Sequence, residues 1–162
     1  MEFFSWLVQT PLADWIRSQS PWLWPLSETL HFIGLALLLG VAGIFDLRLL
    51  GFFKRVPVKA FKDALPWAVV GLGINFVTGM VFFIGSTYQY VPNWAWWAKV
   101  AFIAVAGVNV LIFETRFGDR AAAIGANQDT PLTLKMIGAV SLISWLSVLY
   151  FGRMMAFIGG TC

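Results

Sequence analysis

The clearest chemistry in this chain belongs to its single histidine, His31. Glu28 lies three residues before His31, so a helix places both side chains on one face. A neutral imidazole is the commonest metal ligand in proteins. Three roles therefore stay open for His31: a structural hydrogen bond to Glu28 or to a backbone carbonyl, ligation of a metal or haem iron, and proton transfer.

The identity of a cofactor is unknown from the sequence, with haem b and copper as the two possibilities. Copper(I) prefers sulfur ligands and accepts imidazole, and Met154 is the candidate sulfur ligand near the same end of the bundle. Haem b bound between two histidines of one chain is excluded, so His31 would need another ligand or His31 of a second protomer. The sequence has no HExxH motif and no nucleophile–histidine–acid spacing, which argues against an enzyme with its own substrate.

The composition predicts an all-α integral membrane protein. Hydrophobic residues make up 59% of the 162 residues and charged residues 12%, far from the average of soluble proteins. We predict a four-transmembrane-helix up-down bundle over residues 27–162, with spans at about 27–53, 65–88, 94–115 and 132–158. An interfacial amphipathic and aromatic segment, residues 1–26, is expected to precede it.

Local signals predict where these segments begin and end. Ser27 is expected to cap the first span and Asn93 the third, because both side chains can accept a hydrogen bond from a free backbone N–H. Pro11 is expected to interrupt any continuous N-terminal helix. The stretch from Pro21 to Pro25, PWLWP, predicts an aromatic turn at the headgroup boundary.

The positions of basic residues predict the orientation of the spans. One side has eight: Arg48, Lys54, Arg55, Lys59, Lys62, Arg116, Arg120 and Lys135. The other side has three: Arg17, Lys99 and Arg153. We therefore expect both termini to lie outside a bacterial cytoplasmic membrane, with the lipid bilayer as partner. The basic residues form no nucleic-acid-binding pattern.

Polar residues within the spans are candidate sites, because burying them in hydrocarbon is costly. The outer group is Glu28, His31 and Arg153, and the inner group, expected to form a charge network, is Asp46, Arg48, Glu114 and Arg116. Asn75 shares a helix face with Thr78 and lies at a depth similar to that of Asn109, which suggests that the two amides pair. Each of these groups also has a structural interpretation as interhelical contact or interfacial anchor.

Two short motifs carry a family resemblance. The stretch Glu28–Gly34, ETLHFIG, and the stretch Asp46–Gly51, DLRLLG, resemble a family of small bacterial four-helix membrane proteins of undefined function. That family is loosely similar to copper-resistance D-type membrane proteins and, more distantly, to four-helix cytochromes b. The resemblance covers residues 26–115 and implies a redox or copper association, with His31 as the ligand.

Three functions stay open at this stage. The first is a redox- or metal-associated membrane protein that uses the Glu28/His31 cluster. The second is a non-catalytic scaffold or accessory subunit, in a homo-oligomer or a larger membrane complex, for which the aromatic content of 17% would supply packing surface. The third is a transporter of a small solute or ion, with Asn75, Thr78 and Asn109 along its path.

Overall fold

A computed structural model of the chain describes residues 4, 6 and 9–158. The other N-terminal residues of the expected interfacial segment, and Cys162, lie outside the described residues. All regular structure in the described part is helical. The helices are α1 (Pro11–Ser18), α2 (Ser20–Leu50), α3 (Val58–Lys62), α4 (Leu65–Gly85), α5 (Thr87–Tyr90), α6 (Trp94–Arg116), α7 (Gly118–Ala122) and α8 (Leu132–Ile158).

Four of the described segments are long and apolar enough to cross a membrane, as the sequence predicts. They are Pro21–Leu50, Val58–Gly85, Trp94–Arg116 and Leu132–Ile158. The predicted bounds of the third and fourth spans agree with α6 and α8 to within one residue. The Asn93 side chain accepts a hydrogen bond from the Ala95 N–H at 3.0 Å, which confirms the predicted cap of α6.

The predicted start of the first span is wrong, because α2 begins at Ser20 rather than after Ser27. Pro21 is tolerated in the first helical turn, where its missing N–H would have had no partner. Pro25 lies inside the helix and removes one hydrogen bond without ending it. The expected turn from Pro21 to Pro25 is therefore helical, and the domain boundary at residue 26 falls within α2.

The short helix α1 lies across the end of the bundle. Pro11 begins it, and the Thr10 hydroxyl accepts a hydrogen bond from the Ala13 N–H at 3.2 Å. Ala13 and Ile16 are buried, whereas Trp15 is 55% exposed. Ile16 packs beside Gly85 of α4, where an added Cβ would lie 3.2 Å from Ile16 Cγ2. The N-terminal amphipathic segment is therefore packed on the helices that follow it.

The four long helices pack in the spatial order α4, α2, α8, α6. Helix α2 contacts both α4 and α8, and α8 contacts α6, whereas α4 and α6 share no extended contact. Neighbouring helices are antiparallel, since His31 lies beside Thr78 and Lys99 lies beside Gly152. The up-down order is as predicted, and α2 and α8 are the central elements.

The two ends of the bundle differ in how they are packed. We call them the His31 end, where α2 starts, and the Arg48 end, where α2 stops. The larger cluster of buried apolar side chains lies at the Arg48 end and joins α2, α3, α6, α7 and α8: Phe45, Leu49, Val58, Phe113, Ala121 and Leu134. Aromatic pairs join the helices at the His31 end, where Phe83 of α4 stacks on Trp96 of α6 with ring centroids 5.0 Å apart.

Candidate functional site

His31 is held between α2 and α4 by a hydrogen bond to Thr78. The distance from His31 Nδ1 to Thr78 Oγ1 is 2.7 Å. The Phe82 ring meets the imidazole edge to face, with centroids 5.5 Å apart. His31 is half-buried and Thr78 is buried. The structural partner of His31 is therefore a hydroxyl on α4, and neither Glu28 nor a backbone carbonyl takes that place.

Thr78 connects His31 to the backbone of α4. The Thr78 hydroxyl lies 2.8 Å from the backbone carbonyl of Ile74, four residues earlier, to which it can donate its one proton. With the proton donated there, its oxygen accepts from a protonated Nδ1 of His31. The lone pair of the neutral ring is thus on Nε2, which has no partner among the described residues. A metal-binding histidine is oriented in this way by a second group on its other nitrogen.

Lys99 of α6 is a second charged group at the His31 end. It is half-buried, and its positive charge is close enough to act on the His31 imidazole. Its side chain runs over Gly152 of α8, where an added Cβ would lie 3.7 Å from Lys99 Nζ. No described carboxylate lies within ion-pair distance of that ammonium group. The His31 end therefore has a ring nitrogen without a described partner on the α2–α4 pair and an ammonium group without a described ion pair on the α6–α8 pair.

Glu28 faces Tyr90 rather than His31. Burial raises the pKa of the Tyr90 hydroxyl, and the negative charge of Glu28 raises it further. Glu28 itself is exposed. The spacing of Glu28 and His31 correctly places both at one end of α2, but the structure shows no direct contact between them.

Neither Met154 nor Arg153 is a described hydrogen-bond or ring partner of His31. Arg153 is exposed, and its guanidinium carbon lies 5.4 Å from the centroid of the Phe157 ring. Met154 is half-buried on α8, and its role as a sulfur ligand stays a prediction. No group of three or more histidine, cysteine, aspartate or glutamate side chains that could hold a metal ion occurs in the described part of the chain.

The expected pairing of Asn75 with Asn109 is wrong, because the two residues lie against different helices. The Asn109 side chain donates to the Ile137 carbonyl of α8 at 3.1 Å. Asn75 packs beside Gly34 of α2, and both polar atoms of its amide are buried without a partner. Since α4 and α6 share no extended contact, the two amides cannot meet at mid-span. Asn75 lies one helical turn before Thr78, so the same region contains an amide whose nitrogen and oxygen have no hydrogen-bond partner.

The predicted charge network at the Arg48 end is also wrong, because Arg48 binds backbone carbonyls and a hydroxyl instead of the predicted carboxylates. The fully buried Arg48 guanidinium donates to backbone carbonyls, namely Val56 at 2.8 Å, Gly125 at 3.3 Å and Gln128 at 3.4 Å, and to the Thr130 hydroxyl at 3.3 Å. Five donors in a planar fork allow one arginine to reach several acceptors at once. Arg48 therefore holds two loops at the end of α2 and does not pair with a carboxylate.

The acidic residues of that predicted network have other surroundings. Glu114 pairs with Lys62 of α3 at 3.3 Å. Asp46 is 3% exposed and lies near the Ser141 hydroxyl of α8, while its Oδ2 has no partner. Arg116 is exposed at the end of α6. Glu114 and Arg116 thus lie at the surface of the Arg48 end, and only Asp46 and Arg48 are buried.

A separate ion-pair group joins the loops outside the spans. The Asp129 carboxylate bridges Lys135 at 2.9 Å and Lys54 at 3.0 Å. These two ammonium groups, with a backbone hydrogen bond at Thr130, hold the pKa of the Asp129 carboxyl well below its usual range. The contacts link the loop after α2 to the start of α8.

The fold defines a small helical protein with four potential membrane spans and with polar side chains in both helix pairs at one end. The chain belongs to a family of unknown function, DUF6644, which it matches over residues 3–158. No curated protein and no solved structure matches it. This agrees with the expected family of undefined function, whereas no similarity to copper-resistance proteins or to cytochromes b is shown.

Lys99 is a half-buried lysine at the His31 end that is not among the predicted site residues. Its position within the apolar helix α6 is a signal in the sequence. A charged side chain that far inside a span faces protein or water rather than lipid. No sequence pattern predicts that α6 places this lysine at the same end of the bundle as His31, because the two residues come from different helix pairs.

Proposed function

We propose that this protein binds a haem at the His31 end, where His31 Nε2 would hold the iron. The observation that supports the proposal is the hydrogen bond between Thr78 and His31 Nδ1, which leaves Nε2 free to ligate. The protein would then be an electron-transfer component of a multi-pass membrane assembly. Bound haem supplies reversible one-electron chemistry at its iron.

The donor groups at the site fit haem better than copper. Copper(I) prefers soft sulfur ligands, whereas the described hydrogen-bond partner of His31 is a threonine hydroxyl. A haem iron would be held by the His31 nitrogen as this chain's ligand. Aromatic rings from α2 and α4 line the same region, where Trp24 and Phe82 have centroids 5.3 Å apart.

Each residue near His31 has a defined task in this proposal. Thr78 orients the imidazole and keeps the proton on Nδ1. The Phe82 edge restricts rotation of the ring. Burial between α2 and α4 excludes competing water from one side of the imidazole. These contacts exist without haem, so the ligand is preorganised and loses little conformational freedom on binding.

For the membrane, we propose a bacterial cytoplasmic membrane with both termini outside. The support is the excess of basic residues at the Arg48 end, including Arg55, Arg116 and Arg120, which are exposed. Basic residues flanking spans are retained on the cytoplasmic side. The His31 end would then face an extracytoplasmic electron donor or acceptor.

Titration of the detergent-solubilised protein with haem tests this function. We expect a shifted Soret band that saturates at one haem per chain and disappears in His31→Ala. Thr78→Val keeps the shape of the side chain and removes the hydroxyl that accepts from Nδ1. It should weaken haem binding about 10- to 100-fold, as loss of an outer-shell partner does in metal sites.

The matched control is Thr115→Val, because the Thr115 hydroxyl also donates to a carbonyl four residues earlier, at 2.7 Å. It lies at the opposite end of α6 and should leave haem binding unchanged. Haem spectra that are identical in His31→Ala and in the unaltered protein would refute the proposal, as would the absence of any saturable binding.

A further inference from the structure

An apolar groove lies on the surface of α2 toward the Arg48 end. Its volume is about 460 Å³, and its lining includes Ile33, Ala36, Gly40 and Ile44 of α2, Phe61 of α3 and Ala64 just before α4. Ala36 and Gly40 are exposed, and nothing lies within 4 Å of a Cβ added to Gly40. The small residues thus leave open space between the larger apolar side chains.

The length of the groove matches one leaflet of a bilayer. Its α2 residues run from Ile33 to Ile44, which is about 16 Å at a rise of about 1.5 Å per residue. Ile33 lies near the middle of the span Pro21–Leu50, and Ile44 lies toward its Arg48 end. Half of a hydrocarbon layer about 30 Å thick is about 15 Å. A lipid acyl chain of one leaflet therefore fits this groove, whereas a partner helix that crosses the membrane would need a surface along the whole span.

A basic loop adjoins the groove at the Arg48 end. The Phe61 ring lines the groove and lies beside the Phe53 ring, with centroids 6.4 Å apart. Lys54 and Arg55 follow Phe53 directly, and both are exposed. Lys54 pairs with the Asp129 carboxylate at 3.0 Å, whereas none of the ion pairs among the described residues involves Arg55. Arg55 therefore has a guanidinium group available for an anionic headgroup.

We propose that the groove binds one anionic phospholipid, with an acyl chain along α2 and the headgroup at Arg55. The acyl chain packs against the groove by van der Waals contact, which drives association inside a bilayer in place of the hydrophobic effect. The headgroup supplies the selectivity, because basic residues near the membrane surface attract anionic lipids. This lipid site is independent of haem binding, which is proposed for the opposite end of the bundle.

Mass spectrometry of the intact protein tests the headgroup contact. The protein is released from detergent micelles that contain phosphatidylglycerol or phosphatidylcholine with the same acyl chains, of which only the first has a net negative charge. We expect one phosphatidylglycerol per chain, bound about fivefold more tightly than phosphatidylcholine, which is the preference that one basic residue near the surface supplies. Arg55→Gln should bind both lipids equally, and Arg55→Lys should retain the preference.

Gly40→Leu tests the groove itself, because the larger side chain fills it and should abolish the one-to-one complex with either lipid. Leucine also has a higher helix propensity than glycine, so α2 is preserved. The matched control is Gly73→Leu on α4, where nothing lies within 4 Å of an added Cβ and which does not line the groove. The control for the headgroup is Arg120→Gln, which removes another exposed arginine from the Arg48 end. Both controls should bind lipid as the unaltered protein does, and far-ultraviolet circular dichroism monitors the folding of all variants.

Each contrary outcome overturns a stated part of the proposal. Equal lipid binding by Gly40→Leu and Gly73→Leu would overturn the groove as the site. A preference for phosphatidylglycerol that survives in Arg55→Gln would overturn the headgroup contact. A dimer that dissociates in Gly40→Leu would show that a second copy of the chain occupies the groove instead of lipid. Haem binding should be unchanged in Gly40→Leu, so failure of the lipid site is distinguishable from failure of the proposed function.

Discussion

Three buried or half-buried basic side chains have three different kinds of surroundings in this protein. Arg48 is surrounded by backbone carbonyls, His31 is paired with a threonine hydroxyl, and Lys99 has no described anionic partner. A side chain whose hydrogen bonds are complete stabilises a fold, whereas unused bonding capacity indicates a ligand. This difference indicates a structural role for Arg48, and it is the reason for proposing that His31 binds a ligand.

Arg48 is the residue whose loss should destabilise the fold most. In Arg48→Met the carbonyls of Val56, Gly125 and Gln128 lose their buried donor, and a charged hydrogen bond typically contributes about 1.5–3 kcal/mol. We expect a loss on the order of 3 kcal/mol in the free energy of unfolding, measured by denaturant titration in detergent. The free energy of unfolding of Arg48→Lys should lie between that of Arg48→Met and that of the unaltered protein, since an ammonium group cannot reach all the acceptors.

The control for this experiment is Arg55→Met, which removes an exposed arginine from the loop after α2. Its free energy of unfolding should change by less than about 0.5 kcal/mol, as is usual for surface substitutions. Equal losses in Arg48→Met and Arg55→Met would contradict the assigned role of Arg48.

At the scale of the helices, glycine determines how closely α2 approaches α4. A Cβ added to Gly71 would lie 2.6 Å from the Gly34 carbonyl oxygen and 2.8 Å from the Leu38 nitrogen. Both atoms belong to the backbone and cannot move aside without moving the helix. Small residues permit this close approach in membrane helices, where van der Waals packing drives association. The same approach brings Thr78 within hydrogen-bonding distance of His31.

Gly71→Ala should therefore separate α2 from α4. We expect a decrease of about 1–3 kcal/mol in the free energy of unfolding, the usual cost of overpacking, together with weaker haem binding because Thr78 moves away from His31. The control is Gly73→Ala, since nothing lies within 4 Å of an added Cβ there. An unaltered stability in Gly71→Ala would show that α2 and α4 are not in this close contact.

At the scale of the whole molecule, the order in which the four long helices pack decides more about which residues meet than the number of spans does. Helices α2 and α8 form the centre, and α4 and α6 flank them. The Arg48 end is joined by a shared apolar cluster and by the Asp129 ion pairs. The His31 end brings together groups from both helix pairs.

Cross-linking tests this order of packing directly. In a Cys162→Ser background, cysteines at Gly43 and Leu142 should cross-link α2 to α8, because a Cβ on Gly43 would lie 4.0 Å from Leu142 Cδ1. Cysteines at Asn75 and Asn109 should not cross-link, because those residues pack against α2 and α8 respectively. Electrophoretic mobility before and after oxidation distinguishes the two results. Efficient cross-linking of the second pair would indicate a different helix order.

The sequence by itself determined the four spans, the bounds of α6 and α8 and the cap at Asn93, because these depend on local composition and on side-chain chemistry within one turn. It also pointed to His31 as a candidate site, which stays a prediction. Only the tertiary structure decided that Thr78 is its partner, that Lys99 lies near it, and that Asn75 and Asn109 lie apart. The reason is that apolar helix faces are equally suited to lipid and to another helix, so hydrophobicity does not specify which helices meet.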